Sequence, residues 1–222
     1  MIEKPVRAVI WDMDGVIADT GAFHCRSWQF AFNKQGITFT EADFQRIFGQ
    51  RNDTIIRLIL GREVTQSEIE SIANDKEVYF RETVKSHVRP FPGVMALLKT
   101  QKTHGISAAV ASSAPLENIQ LILAEAGIAD YFQAIVFGKE VSEGKPSPQV
   151  FLKAAEKLGV EPANCIVIED AVAGVAGAKR AGMRCIAVTN THEAAGLSQA
   201  DLVVDSLEKV GIRELERLFS LK

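Results

Sequence analysis

The sequence predicts an α/β protein built on a doubly wound parallel sheet, with a helical domain inserted after the first strand. Six short apolar runs have the length and composition of strands that are buried on both faces. They lie at residues 6–11, 106–111, 134–137, 165–168, 185–188 and 202–204. Helical patterns separate most of these runs, and such alternation implies parallel strands joined by right-handed crossovers.

The helical patterns between the later runs each end directly before a glycine, as many helices do. They cover residues 93–104, 115–126, 148–158 and 171–181. Helices on both faces of a parallel sheet indicate a Rossmann-like fold, in which ligands bind beyond the carboxyl ends of the strands. Polar residues at those strand ends are therefore the first candidates for a functional site.

One long stretch interrupts this alternation, because it contains four consecutive helical patterns and no convincing strand. These patterns cover residues 20–35, 41–48, 53–60 and 66–86. The last pattern opens with Thr65-x-x-Glu68, the signature of a capping box that satisfies free backbone donors. The stretch therefore indicates an inserted helical module.

We expect two domains on this basis. An α/β core would comprise residues 1–18 and 89–222, and the helical insertion would comprise residues 19–88. A hinge in the two connections, near 16–19 and 87–92, would open and close the insertion over the strand ends.

Composition and charge exclude several classes of function. With 47% hydrophobic and 24% charged residues, the 222-residue chain matches an ordinary globular protein. Its formal net charge of −3 comes with no basic block, so neither nucleic acid nor an anionic membrane is an expected partner. A small molecule is the expected partner, and we expect the chain to be a monomer.

The cysteines and the first residues favour a cytoplasmic location. Cys25, Cys165 and Cys185 are odd in number, lie in apolar contexts and lack the paired spacing of a metal site. This usage indicates buried free thiols in a reducing compartment. Residues 1–10 contain only a short apolar stretch, so we expect neither a secretory signal nor a membrane span there.

Two carboxylates follow the first apolar run, in the turn Asp12-Met13-Asp14-Gly15. Two acids this close resist simultaneous ionisation unless a cation is near, which suits either divalent metal binding or divided nucleophile and acid/base roles. Gly15 would let the backbone bend. The alternative is an ordinary turn, since Asp and Gly are common turn residues.

Two further strand ends carry groups that suit an anion. Ser112 and Ser113 follow the second run, where a hydroxyl and free backbone N–H groups would face the crevice. Lys145, before Pro146, would neutralise a phosphate and the nucleophilic carboxylate together. The alternatives are a serine that caps a helix and a solvated loop lysine.

A second acidic strand end, at Glu169 and Asp170, completes the pattern. Carboxylate oxygens at positions 12, 14, 169 and 170 would suit Mg²⁺, which prefers hard oxygen ligands. The alternative for this pair is a helix N-terminus made favourable by acids. The joint occurrence of four such segments at four strand ends predicts phosphoryl transfer through an aspartyl-phosphate.

These segments resemble, in the same order, the four motifs of the haloacid dehalogenase-like phosphohydrolase superfamily. The matching segments are Asp12-Met13-Asp14-Gly15-Val16, Ser112, Lys145 and Glu169-Asp170. The helical insertion ahead of Phe91-Pro92-Gly93 is similar to the cap of the β-phosphoglucomutase-like subgroup. Residues 19–28 resemble the start of that subgroup's first cap helix.

The resemblance implies a role for each core residue. Asp12 would be the nucleophile that attacks phosphorus, and Asp14 would protonate the leaving oxygen and then activate the incoming hydroxyl. Ser112 and the Ser113 amide would hold phosphate oxygens, and Lys145 would offset their charge. A closed, dry site would favour the protonated form of Asp14 that the first role requires.

The resemblance also implies a magnesium site. The ion would be bound by the Asp12 carboxylate, the Asp14 backbone carbonyl and Asp170. Glu169 would contact it directly or through water.

Substrate choice would come from the insertion, where four residues are candidates. His24 would hydrogen-bond the substrate or Asp14, and Lys76 resembles a cap residue of the mutases. Arg51 and Asn52 lie where the subgroup grips the distal part of a sugar phosphate, although this run is one residue shorter than the mutase pattern. The alternatives are a surface histidine on a helix and a solvated lysine.

The leading hypothesis is a magnesium-dependent phosphatase that acts on a small phosphorylated metabolite such as a sugar or polyol phosphate. The first alternative is a β-phosphoglucomutase, which interconverts β-glucose 1-phosphate and glucose 6-phosphate. A true dehalogenase would share the aspartate nucleophile without needing the metal acids. A catalytically silent binding domain is an alternative from a different class.

Overall fold

The computed structural model describes residues 7–220, and within them the chain forms a six-stranded, all-parallel sheet. The strands are β1 (Ala8–Trp11), β2 (Ser107–Ala111), β3 (Ala134–Val136), β4 (Cys165–Glu169), β5 (Arg184–Val188) and β6 (Leu202–Val204). The predicted α/β fold with a doubly wound sheet is confirmed. The predicted first strand began at Val6, which lies outside the described residues, as does most of the segment 1–10.

Nine α-helices lie in the part of the chain that the structure describes. They are α1 (Gly21–Asn33), α2 (Glu41–Ile47), α3 (Asn52–Leu60), α4 (Gln66–Val84), α5 (Val94–Thr103), α6 (Leu116–Glu125), α7 (Gln149–Leu158), α8 (Val172–Arg180) and α9 (Ile212–Ser220). The sequence patterns predicted the first eight but not α9, a short helix with two fully buried leucines, Leu215 and Leu218. None of the helices between residues 7 and 220 combines the length and the apolar character needed to cross a membrane.

The strand order β3-β2-β1-β4-β5-β6 reverses direction between β1 and β4. In a doubly wound sheet, the crevice for a ligand opens at such a reversal, beyond the carboxyl ends of the strands. Trp11 pairs with Ile168, and the Asp12 amide donates to the Ile168 carbonyl at 3.0 Å. This register brings the residues that follow β1 beside those that end β4.

Each face of the sheet packs against its own layer of helices. In β1, Val9 and Trp11 belong to a cluster with residues of α5, α6 and α9, whereas Ala8 and Ile10 belong to a cluster with residues of α7 and α8. Alternation of side chains along each strand supplies both clusters. The sheet and its two helical layers thus form a three-layer core that positions the strand ends. The three cysteines are buried and free, which agrees with the prediction of buried free thiols.

Helices α1 to α4 form a separate layer over the carboxyl end of the sheet. Their own buried cluster consists of Trp28, Ala31, Phe32, Phe39, Ile47, Ile55, Ile56, Val64, Ile69 and Ile72. Phe80 and Val84, near the end of α4, instead join the cluster on one face of the sheet. Helix α4 therefore packs against the other helices of the insertion and also against the core.

The two connections of this layer lie side by side. Ala18 forms isolated bridges with Asp14 and with Pro90, and the Phe91 amide donates to the Ile17 carbonyl at 2.9 Å. The chain therefore leaves the sheet for the insertion and returns to it at neighbouring points.

The predicted capping box is present at the start of α4. The Glu68 amide donates to Thr65 Oγ1, and the Thr65 amide donates to Glu68 Oε2 at 2.9 Å. Two backbone donors of the first turn are thus satisfied.

We predict that Thr65→Ala lowers the free energy of unfolding by about 1 kcal/mol, because it removes an N-cap acceptor. Thr65 is exposed, so the change creates no cavity. Urea unfolding followed by circular dichroism measures the difference. Thr65→Ser, which keeps the hydroxyl, is the control, and equal stability of all three proteins would contradict the prediction.

Candidate active site

Asp12 lies directly after β1, and its side chain is buried. Its Oδ1 accepts a hydrogen bond from Lys145 Nζ. Burial raises the pKa of Asp12 to about 8, since Lys145 only partly offsets the loss of solvation and Glu169 adds negative charge. The ionised form of Asp12 therefore depends on nearby positive charge.

Lys145 reaches this carboxylate from the loop before α7. Its ammonium also donates to Glu169 Oε1 at 2.5 Å, and it lies 5.1 Å from the centre of the Phe151 ring. Burial alone would lower the pKa of Lys145, but the charges of Asp12 and Glu169 raise it above its usual value. The alternative of a solvated loop lysine is wrong, because the side chain is only 5% exposed.

Glu169 ends β4 and is bound on both oxygens. Besides the contact with Lys145, its Oε2 accepts the backbone amides of Asp170 and Ala171 at 2.9 and 3.0 Å. The carboxylate therefore caps the turn that leads into α8 and orients the lysine at the same time.

Asp170 completes a group of three buried carboxylates. One oxygen each from Asp12, Glu169 and Asp170 lies within 4.8 Å of the others. Burial and the charges of Glu169 and Asp12 raise the pKa of Asp170 well above its usual value. Three acids around a single ammonium leave an excess of negative charge, which fits a hard divalent cation. Because both Glu169 oxygens already have partners, Asp12 and Asp170 are better placed to bind such an ion directly.

Asp14 lies in a different environment from Asp12, although the two are separated by a single residue. Its Oδ1 accepts Thr20 Oγ1 at 2.5 Å and lies 3.0 Å from His24 Nε2. Burial alone would raise the pKa of Asp14, but its contact with His24, the hydrogen bond from Thr20 and the charge of Lys76 lower it. These contacts stabilise the carboxylate form of Asp14, whereas burial alone would favour the protonated form that was expected.

His24 and Lys76 form a buried pair behind Asp14. His24 stacks on Phe80 with 4.0 Å between ring centres, and its Nδ1 lies 3.0 Å from Lys76 Nζ. Because an ammonium only donates, His24 Nδ1 accepts and the proton on Nε2 faces Asp14. Both residues are buried, so the alternatives of a surface histidine and a solvated lysine are wrong.

Ser112 and Ser113 follow β2 and lie on the same side of the sheet. Ser112 is buried, and its Oγ accepts the Ala114 amide at 3.1 Å. The residue that caps α6 is Pro115, so the alternative of a helix-capping serine is wrong.

A cavity of about 50 Å³ lies between the insertion and the strand ends. Its core side is formed by Asp12, Asp14, Ser112, Ser113 and Ala114. Its apolar wall is formed by Trp28, Phe44, Ile47, Phe48 and Ile55, and its polar wall by His24, Gln50, Asn52, Lys76 and Glu77. The predicted core residues and three of the four predicted insertion residues thus meet at the cavity or at Asp12.

Arg51 is the exception, because it is not among the residues that line the cavity. Its guanidinium donates to both carboxylate oxygens of Asp53, at 3.1 and 3.2 Å, and also to the Val141 carbonyl. The aliphatic part of its side chain lies against Gly144. The predicted contact of Arg51 with substrate therefore has no support in this geometry. The short loop after Gly49 turns the side chain towards the core instead.

Sequence reasoning missed the loop after β5. Asn190 Nδ2 donates to the Gly15 carbonyl at 2.7 Å, and Thr191 Oγ1 donates to both the carbonyl and a carboxylate oxygen of Asp170. A Cβ at Gly15, where φ is +85°, would lie 2.0 Å from Asp170 Oδ2, so a glycine is required there. The signal in the sequence was a further polar strand end, Thr189-Asn190-Thr191-His192.

Two residues of the insertion interface were also missed. Thr20 binds Asp14, and Glu77 binds Lys76 at 2.8 Å and Asn118 at 2.6 Å. No sequence signal distinguished them from ordinary polar residues of helices.

Comparison with known proteins adds to this geometry. A family model described as haloacid dehalogenase-like hydrolase matches residues 9–188. A β-phosphoglucomutase from Bacillus subtilis is 35% identical over 207 residues, which cover 90% of this chain and 89% of that protein. A phosphorylated carbohydrates phosphatase from Thermotoga maritima is 31% identical over 185 residues, which cover 82% of this chain and 84% of that protein.

The chain is also similar to part of a longer plant protein and to solved structures. Protein SUPPRESSOR OF QUENCHING 1, chloroplastic, from Arabidopsis thaliana is 34% identical over 220 residues, which cover 95% of this chain but 20% of that protein. The crystal structure of β-phosphoglucomutase from Clostridium difficile has a TM-score of 0.88 and 29% identity, covering 96% of this chain and 97% of that one.

We predict that Gly174→Ala destabilises the protein, although alanine is favoured over glycine in a helix by about 1 kcal/mol. A Cβ at position 174 of α8 would lie 1.8 Å from Glu169 Oε1. The overlap should lower the free energy of unfolding by about 1–3 kcal/mol, the usual cost of overpacking. Urea unfolding measures it.

The matched control is Gly177→Ala in the same helix, where a Cβ would approach the Phe151 ring no closer than 3.1 Å. Its loss of stability should be smaller. Equal stability of the two variants would contradict the contact between Gly174 and Glu169.

Proposed function

Because the chain belongs to the haloacid dehalogenase-like hydrolase family of enzymes, we propose that it is a magnesium-dependent phosphatase of a small phosphorylated metabolite. A sugar or polyol phosphate is the proposed substrate class, and an aspartyl-phosphate is the proposed intermediate. The observation that carries the proposal is the buried contact of Lys145 with both Asp12 and Glu169, beside the serines that follow β2.

The first half-reaction transfers the phosphoryl group to the protein. A carboxylate oxygen of Asp12 forms a bond to phosphorus while the bond from phosphorus to the leaving oxygen breaks. The leaving oxygen takes a proton from Asp14, which becomes a carboxylate. The hydrogen bond from His24 Nε2, 3.0 Å from Asp14 Oδ1, would stabilise that carboxylate until the second half-reaction.

The second half-reaction releases phosphate. Water attacks the phosphorus of the aspartyl-phosphate and gives its proton to Asp14, while the bond from phosphorus to the Asp12 oxygen breaks. The lowered pKa of Asp14 keeps the free carboxylate available as this base. Asp12 returns as a carboxylate, and phosphate leaves.

Charge neutralisation is the main task of the remaining residues. The Ser112 hydroxyl, the Ser113 amide and Lys145 would hold the phosphate oxygens. Mg²⁺ would be held by Asp12 and Asp170, and by the Asp14 backbone carbonyl as the family resemblance implies. When bound, it supplies positive charge to the phosphate oxygens.

We also propose the domain division that the sequence suggested. Residues 1–18 and 89–222 would form the core, and residues 19–88 would form an insertion that closes over the phosphate site. The paired connections near Ala18 and Pro90 support a common hinge.

Hydrolysis is favoured over the mutase alternative by the contacts of Arg51 and Lys76, the two cations of the insertion that were candidates for substrate binding. A mutase must hold a second phosphate group on the sugar while it transfers the first. Arg51 is bound to Val141 and Asp53, and Lys76 is bound to Glu77 and His24. Both cations thus already have protein partners, which leaves neither of them free to hold a second phosphate group.

We predict that the purified protein with Mg²⁺ releases phosphate from members of a panel of sugar and polyol phosphates. Asp12→Asn should lower turnover by about 10⁴-fold or more, because it removes the nucleophile. Phosphate release and unfolding curves are the measurements. Asp19→Asn, at an exposed acid seven residues away, is the control, and full activity of Asp12→Asn would refute the assignment.

We further predict that a chelator abolishes turnover and that added Mg²⁺ restores it. Chelator-resistant release of halide from a haloacid would instead indicate a dehalogenase. With β-glucose 1-phosphate and a bisphosphate primer, phosphate should accumulate in place of glucose 6-phosphate. Accumulation of glucose 6-phosphate would replace the phosphatase proposal with the mutase.

A further inference from the structure

A buried amide joins the core to the helical insertion. Asn118 lies in α6 and is fully buried. Its Nδ2 donates to Glu77 Oε2 at 2.6 Å, and its Oδ1 accepts a hydrogen bond from Arg81 at 3.0 Å. Glu77 and Arg81 are four residues apart in α4, so this one amide binds two successive turns of that helix.

Glu77 carries the contact further into the insertion. Its Oε1 accepts Lys76 Nζ and Asn52 Nδ2, both at 2.8 Å, while Oε2 is bound to Asn118. Burial alone would raise the pKa of Glu77, but the charge of Lys76 and the hydrogen bonds from Lys76 and Asn52 lower it, so the residue is a carboxylate. One of its oxygens therefore faces the insertion and the other faces the core.

Lys76 connects this carboxylate to the acid/base pair. Its ammonium lies between Glu77 and His24 and 5.3 Å from the ring centres of Trp28 and Phe80. His24 in turn contacts Asp14 at 3.0 Å. A continuous path of hydrogen bonds thus runs from α6 of the core through the insertion and back to the core at Asp14.

We propose that Asn118 is a positioning residue for the reaction. By binding Glu77 and Arg81, it holds α4 against the core and thereby positions Lys76 and His24 beside Asp14. The inference rests on the proposed function, because it assigns Asn118 to the proton transfer at Asp14. Helix α6 begins four residues after Ser112, so the helix that follows the proposed phosphate-binding turn also contacts α4 of the insertion.

The chemistry of the site requires a neutral group that donates on one side and accepts on the other. An asparagine amide does both. An aspartate would place a second carboxylate against Glu77. A leucine of similar size would remove the partner of Glu77 Oε2 and the hydrogen bond that Arg81 donates.

The first experiment compares two kinds of leaving group. Nitrophenolate leaves from p-nitrophenyl phosphate without a proton, whereas the alkoxide leaving groups of glucose 6-phosphate and glycerol 3-phosphate need one. We predict that Asn118→Leu lowers kcat for the alkyl esters by about 10- to 100-fold, the size of effect that misplacement by an ångström produces. The loss on p-nitrophenyl phosphate should be several times smaller.

The outcomes separate positioning from packing. Equal losses on both kinds of ester would mean that Asn118 is merely structural, and no loss would refute the proposal outright. A wild-type protein that hydrolyses no ester would refute the proposed function, and the positioning role with it. Gln120→Leu, which removes an exposed amide from the same helix, is the matched control.

A rescue experiment guards against a variant that simply folds poorly. Asn118→Asp should lose activity on alkyl esters through repulsion between position 118 and Glu77. Combining it with Glu77→Gln lets the new amide donate to the new carboxylate, and about a fivefold or greater recovery is expected from restoring such a contact. A double variant no more active than Asn118→Asp alone would overturn the proposal.

Hydrogen exchange provides a readout that does not depend on turnover. In Asn118→Leu, amides of α4 and of the connection at 87–92 should exchange faster than in the wild type, because the insertion is less firmly seated. Gln120→Leu should leave these rates unchanged. Unchanged rates in Asn118→Leu would contradict the contact between α6 and α4 as the seat of the insertion.

Discussion

The structure of the site depends on a charge imbalance at the carboxyl ends of β1 and β4. Asp12, Glu169 and Asp170 are buried within 4.8 Å of one another, and Lys145 is the ammonium that contacts two of them. Burying like charges together is costly unless cations and hydrogen-bond donors compensate. The backbone amides on Glu169, the hydroxyl of Thr191 on Asp170 and the lysine loop all serve this purpose. The same imbalance makes the site attractive to a divalent cation and, once that charge is supplied, to a phosphate.

The two acids of the first turn show how the two layers divide the chemistry. Asp12 faces the acidic core, which raises its pKa, and Asp14 faces His24 and Thr20 of the insertion, which lower it. Groups whose surroundings push their pKa values in opposite directions are suited to opposite roles. Under the proposed function, the core would thus set the nucleophile, while the insertion would set the acid and base.

The strand ends were predictable from sequence because a parallel sheet brings them to one edge whatever the distance along the chain. Asp12 and Glu169 lie at the ends of the neighbouring strands β1 and β4. Lys145, 133 residues from Asp12, reaches them from a loop. The insertion was less predictable. His24 and Lys76 look like solvated helix residues until α1 packs on α4, and Asn118 finds its partner 41 residues away in another layer. Arg51 was misplaced because its direction depends on one short loop, which no periodic pattern describes.

The neighbouring entry and exit points of the insertion have a consequence for how such proteins diversify. Since the chain departs near Ile17 and rejoins near Phe91, with a hydrogen bond between them, the sheet is continuous without the segment in between. The helices between these points can therefore be lengthened, shortened or exchanged while strand pairing stays intact. Under the proposed function, a change of substrate would need a change in that module alone, and the residues at the strand ends would be kept.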